Sequence, residues 1–230
     1  MEIFHLKQSD SGYPTTLQRY FGDRGLGFIE ALGNLELLKG KKLAFFCSVK
    51  SPGNLILKAH DLAQRLKEEG ITVISGFHSP IEKECLKILL RGTQPIIICP
   101  ARSLKGMRLR GEYKKPLEEG RLLLLSPFKE NQRRNTVETA MERNRFVAAL
   151  ADAVFVAHAS PNSKMEKFCR EVLKLDKPLY TFESEANKFL INIGAKALTP
   201  NLDFFLGRRP RCQALKLDKS TISPGKPSAS

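Results

Sequence analysis

The segment from Glu142 to Lys164, ERNRFVAALADAVFVAHASPNSK, leaves a chain few ways to fold. Its polar, basic start passes into an apolar helical pattern at Phe146, Val147, Ala149 and Leu150, and the strand-like run Ala153 to Ala157 follows. Val154, Phe155 and Val156 stand in a row without polar alternation. Such a strand needs cover on both faces, as a central strand of a parallel sheet has with helices above and below. Arg143 and Arg145 flank Asn144 where the helix pattern begins. Held by that scaffold, their charge would lie near the strand carboxyl ends, where ligands of open parallel sheets gather, and would be well placed to meet phosphate. Both arginines suit an ordinary solvated helix face equally well, and spacing does not separate the two.

The same alternation runs through most of the chain. Strands are expected at Leu43 to Cys47, Ile71 to Ser75, Pro95 to Cys99, Arg121 to Leu125, Ala153 to Ala157 and Pro178 to Phe182. Helical patterns lie between them at about 55 to 69, 80 to 91, 166 to 175 and 186 to 193, the last closed by Gly194. Strands alternating with helices imply an α/β fold with a doubly wound, mostly parallel, extended Rossmann-like sheet over residues 40 to 198. Residues 1 to 39 form a short N-terminal appendage, with a turn at Tyr13-Pro14 and glycines at 25, 27 and 33. Residues 199 to 230 are polar and basic, carry Arg208, Arg209 and Arg211, end in SPGKPSAS, and are expected to be disordered.

Two loops follow strand ends and precede helices. Ser48-Val49-Lys50-Ser51-Pro52-Gly53-Asn54 makes a strand, a small-residue loop and a helix start, which is an anion site in outline because free backbone N–H groups converge there. It matches neither GxGxxG nor GxxxxGK[ST]. In Gly76-Phe77-His78-Ser79-Pro80, Ser79 suits an N-cap and Pro80 a first helical turn. No nucleophile is placed for His78 to activate, so it reads as a binding or structural residue.

Charge points to the partner. With 38 basic and 24 acidic residues the net charge is +14, which favours nucleic acid first and an acidic membrane surface second. No basic amphipathic helix with an apolar anchor supports the membrane reading. Residues 102 to 134 are the densest basic stretch: Arg102, Lys105, Arg108, Arg110, Lys114, Lys115, Arg121, Lys129, Arg133 and Arg134, set in connections rather than along one regular helix. Phe128 lies inside it, suited either to stack on an unpaired base or to lid the core. Cys47, Cys85, Cys99, Cys169 and Cys212 form no CxxC pair, so buried free thiols are expected, with no metal site, disulfide or cofactor. No apolar run approaches the ~18 residues of a membrane span. The opening MEIFHLKQSDSGYP lacks a signal-peptide apolar core, so the expectation is a soluble cytoplasmic protein.

Several of these motifs in this order resemble the DprA/Smf family of DNA-processing proteins, from about Tyr13 to Leu198. They are Tyr13-Pro14, then GNLELL before the first strand, a serine-containing turn after it, SGF at the second strand end, RNRFVAALAD, and the closing NKFLINIGAKAL. The resemblance implies an extended Rossmann domain and binding of single-stranded DNA by a homodimer. It also implies loading of the RecA recombinase during natural transformation. Residue by residue it points to Ser48, Gly76, Arg143, Asn144 and Arg145. The family's Gly-Ser-Arg turn is here Cys47-Ser48-Val49, with Lys50 the substitute cation, a point charge rather than a bidentate fork. Its GxARGID turn is replaced by Phe77-His78-Ser79-Pro80, and its later Ser-Gly-Ser by Ser160-Pro161-Asn162-Ser163-Lys164. The ~30 residues after 198 are about half of what a winged-helix domain would need.

The expected site is therefore a nucleic-acid or phosphate site without catalytic residues: Ser48, Lys50, Gly76, Phe77, Phe128, Arg133, Arg134, Arg143, Asn144 and Arg145. Two alternatives share the fold. One is a nucleoside-monophosphate phosphoribohydrolase, but the glycine-rich PGGxGTxxE loop of those enzymes corresponds to HASPNSKMEK, with Glu166 the remnant carboxylate. The other is a small-nucleotide sensor using the same crevice.

Overall fold

Every apolar run read as a strand enters one sheet. The computed structural model describes residues 2–21, 26–198, 202 and 205. In chain order the elements are β1 (Phe4–Lys7), α1 (Thr15–Phe21), β2 (Phe28–Gly33), β3 (Lys42–Phe46), α2 (Gly53–Glu68), β4 (Thr72–Ser75), α3 (Pro80–Leu90) and β5 (Ile96–Ile98). There follow α4 (Gly111–Glu118), β6 (Leu122–Ser126), α5 (Val137–Leu150), β7 (Ala153–Val156), α6 (Lys164–Lys174), β8 (Leu179–Thr181), α7 (Lys188–Asn192) and β9 (Lys196–Ala197). Met1–Leu198 cluster as one unit. The tail expected to be disordered lies outside the described residues, save Leu202 and Phe205.

Strand order across the sheet is β1-β2-β6-β5-β4-β3-β7-β8-β9. From β6 through β9 all neighbours are parallel, as the α/β doubly wound reading requires. β1 and β2 were not expected as strands: the first 39 residues add an antiparallel pair beyond β6, with Ala31 opposite Leu125. A second difference is α4, a regular helix inside the basic stretch that the sequence assigns to connections. The chain winds outward from β3 to β6 and then returns to lay β7 against the other side of β3. That boundary is where an open parallel sheet parts its loops and leaves a crevice.

Packing explains why β3 and β7 hold the centre. All nine of their residues are buried. Side chains alternate between faces, so Phe46 joins the cluster of Phe146, Val147, Leu150 and Phe168, meeting the Phe168 ring edge-on at 5.0 Å. Phe45 points the other way and packs on Phe155 at 5.4 Å. Each buried phenylalanine contributes about 2–3 kcal/mol. Helices α2 and α3 pack together, while α5 packs on α1 and α6.

Two of the buried charges belong to the strands themselves. Glu30, in the middle of β2, is fully buried and accepts from Ser103 Oγ at 2.9 Å and the Leu104 N–H at 2.6 Å, tying the loop after β5 to the antiparallel strands. Lys42 opens β3 and donates to the Leu38 and Gly40 carbonyls, with Asp152 at 3.8 Å. Burial pulls its ammonium pKa down, against the pull of Asp152.

Candidate functional site

At the carboxyl end of β3, beside β7, lies a cavity of about 690 Å³. The turn after β3 supplies Cys47, Ser48 and Val49; the turn after β4 and the start of α3 supply His78, Ser79 and Glu82; Ala101 follows β5. Opposite stand Asn135 to Val137, Ala140, Met141, Arg143 and Asn144 of the α5 segment, and Ser163, Lys164 and Met165 at the start of α6. Three helix N-caps are among these residues. Ser79, Thr136 and Ser163 accept from the N–H groups of Glu82, Thr139 and Glu166 at 3.2, 3.2 and 3.1 Å. The positive ends of three helices therefore meet at one opening.

The amides at the floor are nonetheless already engaged. The Glu82 carboxylate, buried in the capping box of α3, accepts from the Cys47 N–H at 2.9 Å, the His78 N–H at 2.7 Å and the Ser79 N–H at 3.2 Å. Ser48 N–H donates to the His158 carbonyl at 2.9 Å. On the α6 side, Asn162 N–H donates to Glu166 at 2.6 Å and Ser163 N–H to the Ser160 carbonyl at 3.2 Å. A glycine-rich phosphate loop leaves such groups free. Glu166 also takes two bonds from Arg170, at 3.0 and 2.8 Å, which hold its pKa below the usual carboxylate range.

Arg143 is buried at 4 % exposure. Its Nη1 donates to the Cys99 carbonyl at 2.9 Å and its Nε to Asn144 Oδ1 at 2.9 Å. A Cβ built on Gly76 would lie 1.1 Å from Nη1, so the guanidinium occupies the space that any other residue at 76 would fill. Burial lowers its pKa. Arg143 thus ties α5 to the ends of β4 and β5, and only part of it borders the cavity. Arg145 does not line it: its fork grips Glu171 of α6 at 2.8 and 2.9 Å, a pairing that raises the Arg145 pKa and lowers that of Glu171.

A family model for DNA recombination-mediator protein A matches residues 5–206. The chain belongs to that family. Its fold is similar to DNA processing protein A from Streptococcus pneumoniae, at 20% identity and a TM-score of 0.74, covering 90% of this chain and 74% of that one. It is also similar to DNA processing protein A from Helicobacter pylori, whose structure is described for its single-stranded DNA binding mode. There the identity is 20% and the TM-score 0.71, covering 90% of this chain and 95% of that one. No curated protein matches the chain in sequence.

Within this family frame the residues singled out in the sequence take different places. Ser48, Arg143 and Asn144 line the cavity; Lys50 is exposed beside Val49, and Arg133 and Arg134 are exposed beside Asn135. Gly76 lies behind, under Arg143. Phe77 and Phe128 are buried at 5 % exposure each, so neither presents a ring to solvent; Phe77 also holds a positive φ of 45°. The basic stretch is partly neutralised from within, because Lys105 pairs with Glu130, Arg110 with Glu112, and Lys115 and Arg121 with Glu119.

Sequence reasoning missed Glu82 and Lys164. Glu82 had a legible signal, the Ser-x-x-Glu spacing of a capping box after a strand. Cys47, Cys85, Cys99 and Cys169 are buried and free, and burial pushes the Cys47 thiol up to about 11; Cys212 lies outside the described residues. Among the described residues no His/Cys/Asp/Glu group is placed to hold a metal, and no helix is long and apolar enough to cross a membrane.

Proposed function

We propose that this chain binds single-stranded DNA as an accessory protein of DNA processing and carries out no chemistry on it. The observation that carries this reading is a set of exposed cations in and next to the segments that line the crevice. Lys164 lines the opening, Lys50 follows Val49, and Arg133 and Arg134 lead into Asn135, none of them in an ion pair with a described residue. With three helix N-termini aimed at the same opening, an anionic strand is attracted there.

Family membership supports the DNA-processing role, and the Helicobacter pylori relative supports single-stranded DNA as the ligand. Recombinase loading and a homodimeric assembly belong to the same proposal and rest on the family resemblance. Glu166 argues against phosphoribohydrolase chemistry: its carboxylate is engaged by the Arg170 guanidinium and the Asn162 N–H of its own loop, and no glycine cradle for a phosphate stands beside it. Competition between single-stranded and duplex oligomers of one sequence tests the reading. The single strand should win; equal competition by the duplex would refute it.

A further inference from the structure

Resting on the single-stranded DNA reading, we infer that the strand has a second station at the far edge of the sheet, where the His5 and Phe28 rings stack on an unpaired base and Lys7 and Lys129 hold its phosphates. A protein that grips single strands uses exposed aromatic faces. Phe77 and Phe128, the rings the sequence offers for that role, are buried. His5 stands exposed on β1 and Phe28 is half-buried at the start of β2, and their ring centroids lie 5.4 Å apart, inclined at 46°.

The strand pattern puts these groups on one side. Side chains alternate along β1, so Leu6 turns into the core while His5 and Lys7 share the opposite face, with Lys7 across from Phe28. Farther along β2 that face is closed by the loop that Glu30 holds at Ser103 and Leu104. At His5 and Phe28 a cavity of about 470 Å³ remains, completed by Lys129, Glu130 and Asn131. Lys7 and Lys129 make no ion pair with a described residue, and Lys105 engages Glu130, so the charge left at the cavity is positive. Aromatic rings take any base by its π face, and ammonium groups take the phosphates beside it.

This edge is continuous with the crevice. Glu30 stands opposite Ser126, so Phe28 lies past the carboxyl end of β6, at the end of the sheet where the crevice opens. A second cavity, of about 500 Å³, starts at Phe28, Lys129 and Asn131 and reaches Gln132, and Arg133 and Arg134 then lead to Asn135 on the crevice wall. Lys105 first, with His5 and Arg133 after it, holds the Glu130 carboxyl below its usual range, so both ends of this segment face one carboxylate. Glu142, on the α5 wall of the second cavity, turns phosphates toward Lys129. From β3 to β1 the sheet takes five steps of about 4.8 Å, roughly 24 Å in all. At ~3.4 Å per stacked nucleotide that is about seven nucleotides, within the span of a single-strand site.

The test titrates the full chain with oligothymidylates of about 6 and about 16 nucleotides, the short one filling the crevice alone and the long one reaching the sheet edge as well. His5→Ala with Phe28→Leu, which removes both rings and keeps an apolar side chain in β2, should weaken the long strand about tenfold, the scale of one stacked base, and leave the short one as in wild type. Lys7→Gln with Lys129→Gln should flatten the salt slope of the long strand by about 1.4 and leave that of the short one alone. If the ring pair variant disturbs the β1–β2 pairing, His5→Ala at its exposed position carries the test, with a loss of about threefold on the long strand only. Equal losses on the two lengths, or none on either while wild type binds both, overturn the second station and leave the single-stranded DNA reading standing. Unchanged binding of both lengths together with altered sedimentation of the free protein would make this face a contact between copies of the chain and overturn it likewise. Failure of wild type to bind either strand overturns both readings.

Discussion

The guanidinium of Arg143 fills the place of a side chain at Gly76: a Cβ there would stand 1.1 Å from Nη1 and 1.8 Å from Cζ. A motif arginine next to a ligand crevice is thereby a strut between α5 and the ends of β4 and β5, and its charge is spent on the Cys99 carbonyl and on Asn144.

Arg143→Ala should cost about 2–3 kcal/mol in denaturant unfolding, because a buried carbonyl and an amide oxygen lose their donors. Gly76→Ala should cost a similar amount in wild type but much less in the Arg143→Ala background, since the atoms it meets belong to Arg143. The double-mutant cycle should show a coupling of about 1 kcal/mol or more. Additive losses would mean that the two positions act separately.

Glu82→Gln should be strongly destabilising for an isosteric change. The carboxylate accepts three backbone N–H bonds, and an amide would turn its own N–H₂ toward at least one of those donors. A loss of about 2–4 kcal/mol is expected, as charged acceptors are removed from a buried site. Stability within 0.5 kcal/mol of wild type, on the order of an ordinary surface change, would contradict that role.

The Arg145–Glu171 pair predicts a pH signature. The hydrogen bond from Arg145 lowers the Glu171 pKa in the folded state, so its contribution is complete above the unfolded carboxylate value near 4.3 and fades as pH falls through the folded value. Both side chains are about two-fifths exposed, which limits the pair to about 0.5–1 kcal/mol. The gap in melting temperature between wild type and Arg145→Gln should be largest at neutral pH and close toward pH 3. A gap that persists in acid would place the contribution in packing rather than charge.

What the sequence made legible was what local pattern encodes. β3 and β7 announce themselves because every side chain after Lys42 is apolar, and the capping serine at 79 sits where a strand end meets a helix start. β2 stayed hidden because Glu30 occupies its centre, and only the distant Ser103 and Leu104 make that carboxylate tolerable there. Pro116 concealed α4 in the same way, a helix breaker accommodated within the helix. The site was half legible for a related reason. Charge and the family resemblance marked Arg143 and Arg145 as ligand groups, but Cys99 and Glu171, which claim those charges, and Gly76, whose missing side chain makes room for Arg143, are remote in sequence. Nor does composition tell a buried Phe77 or Phe128 from an exposed one.

The most direct test of the account is the salt dependence of single-stranded DNA affinity with and without the rim cations. Each phosphate neutralised on a single strand contributes about −0.7 to the slope of log K against log salt, so contacts from Lys50, Lys164, Arg133 and Arg134 predict a slope near −3. Lys50→Gln with Lys164→Gln should weaken binding and flatten that slope by about 1.4. Lys114→Gln with Lys115→Gln, on α4 away from the cavity lining and with Lys115 already paired to Glu119, should leave it as in wild type. An unchanged slope in the rim variant together with a flattened one in the α4 variant would move the DNA path off the crevice and contradict the account.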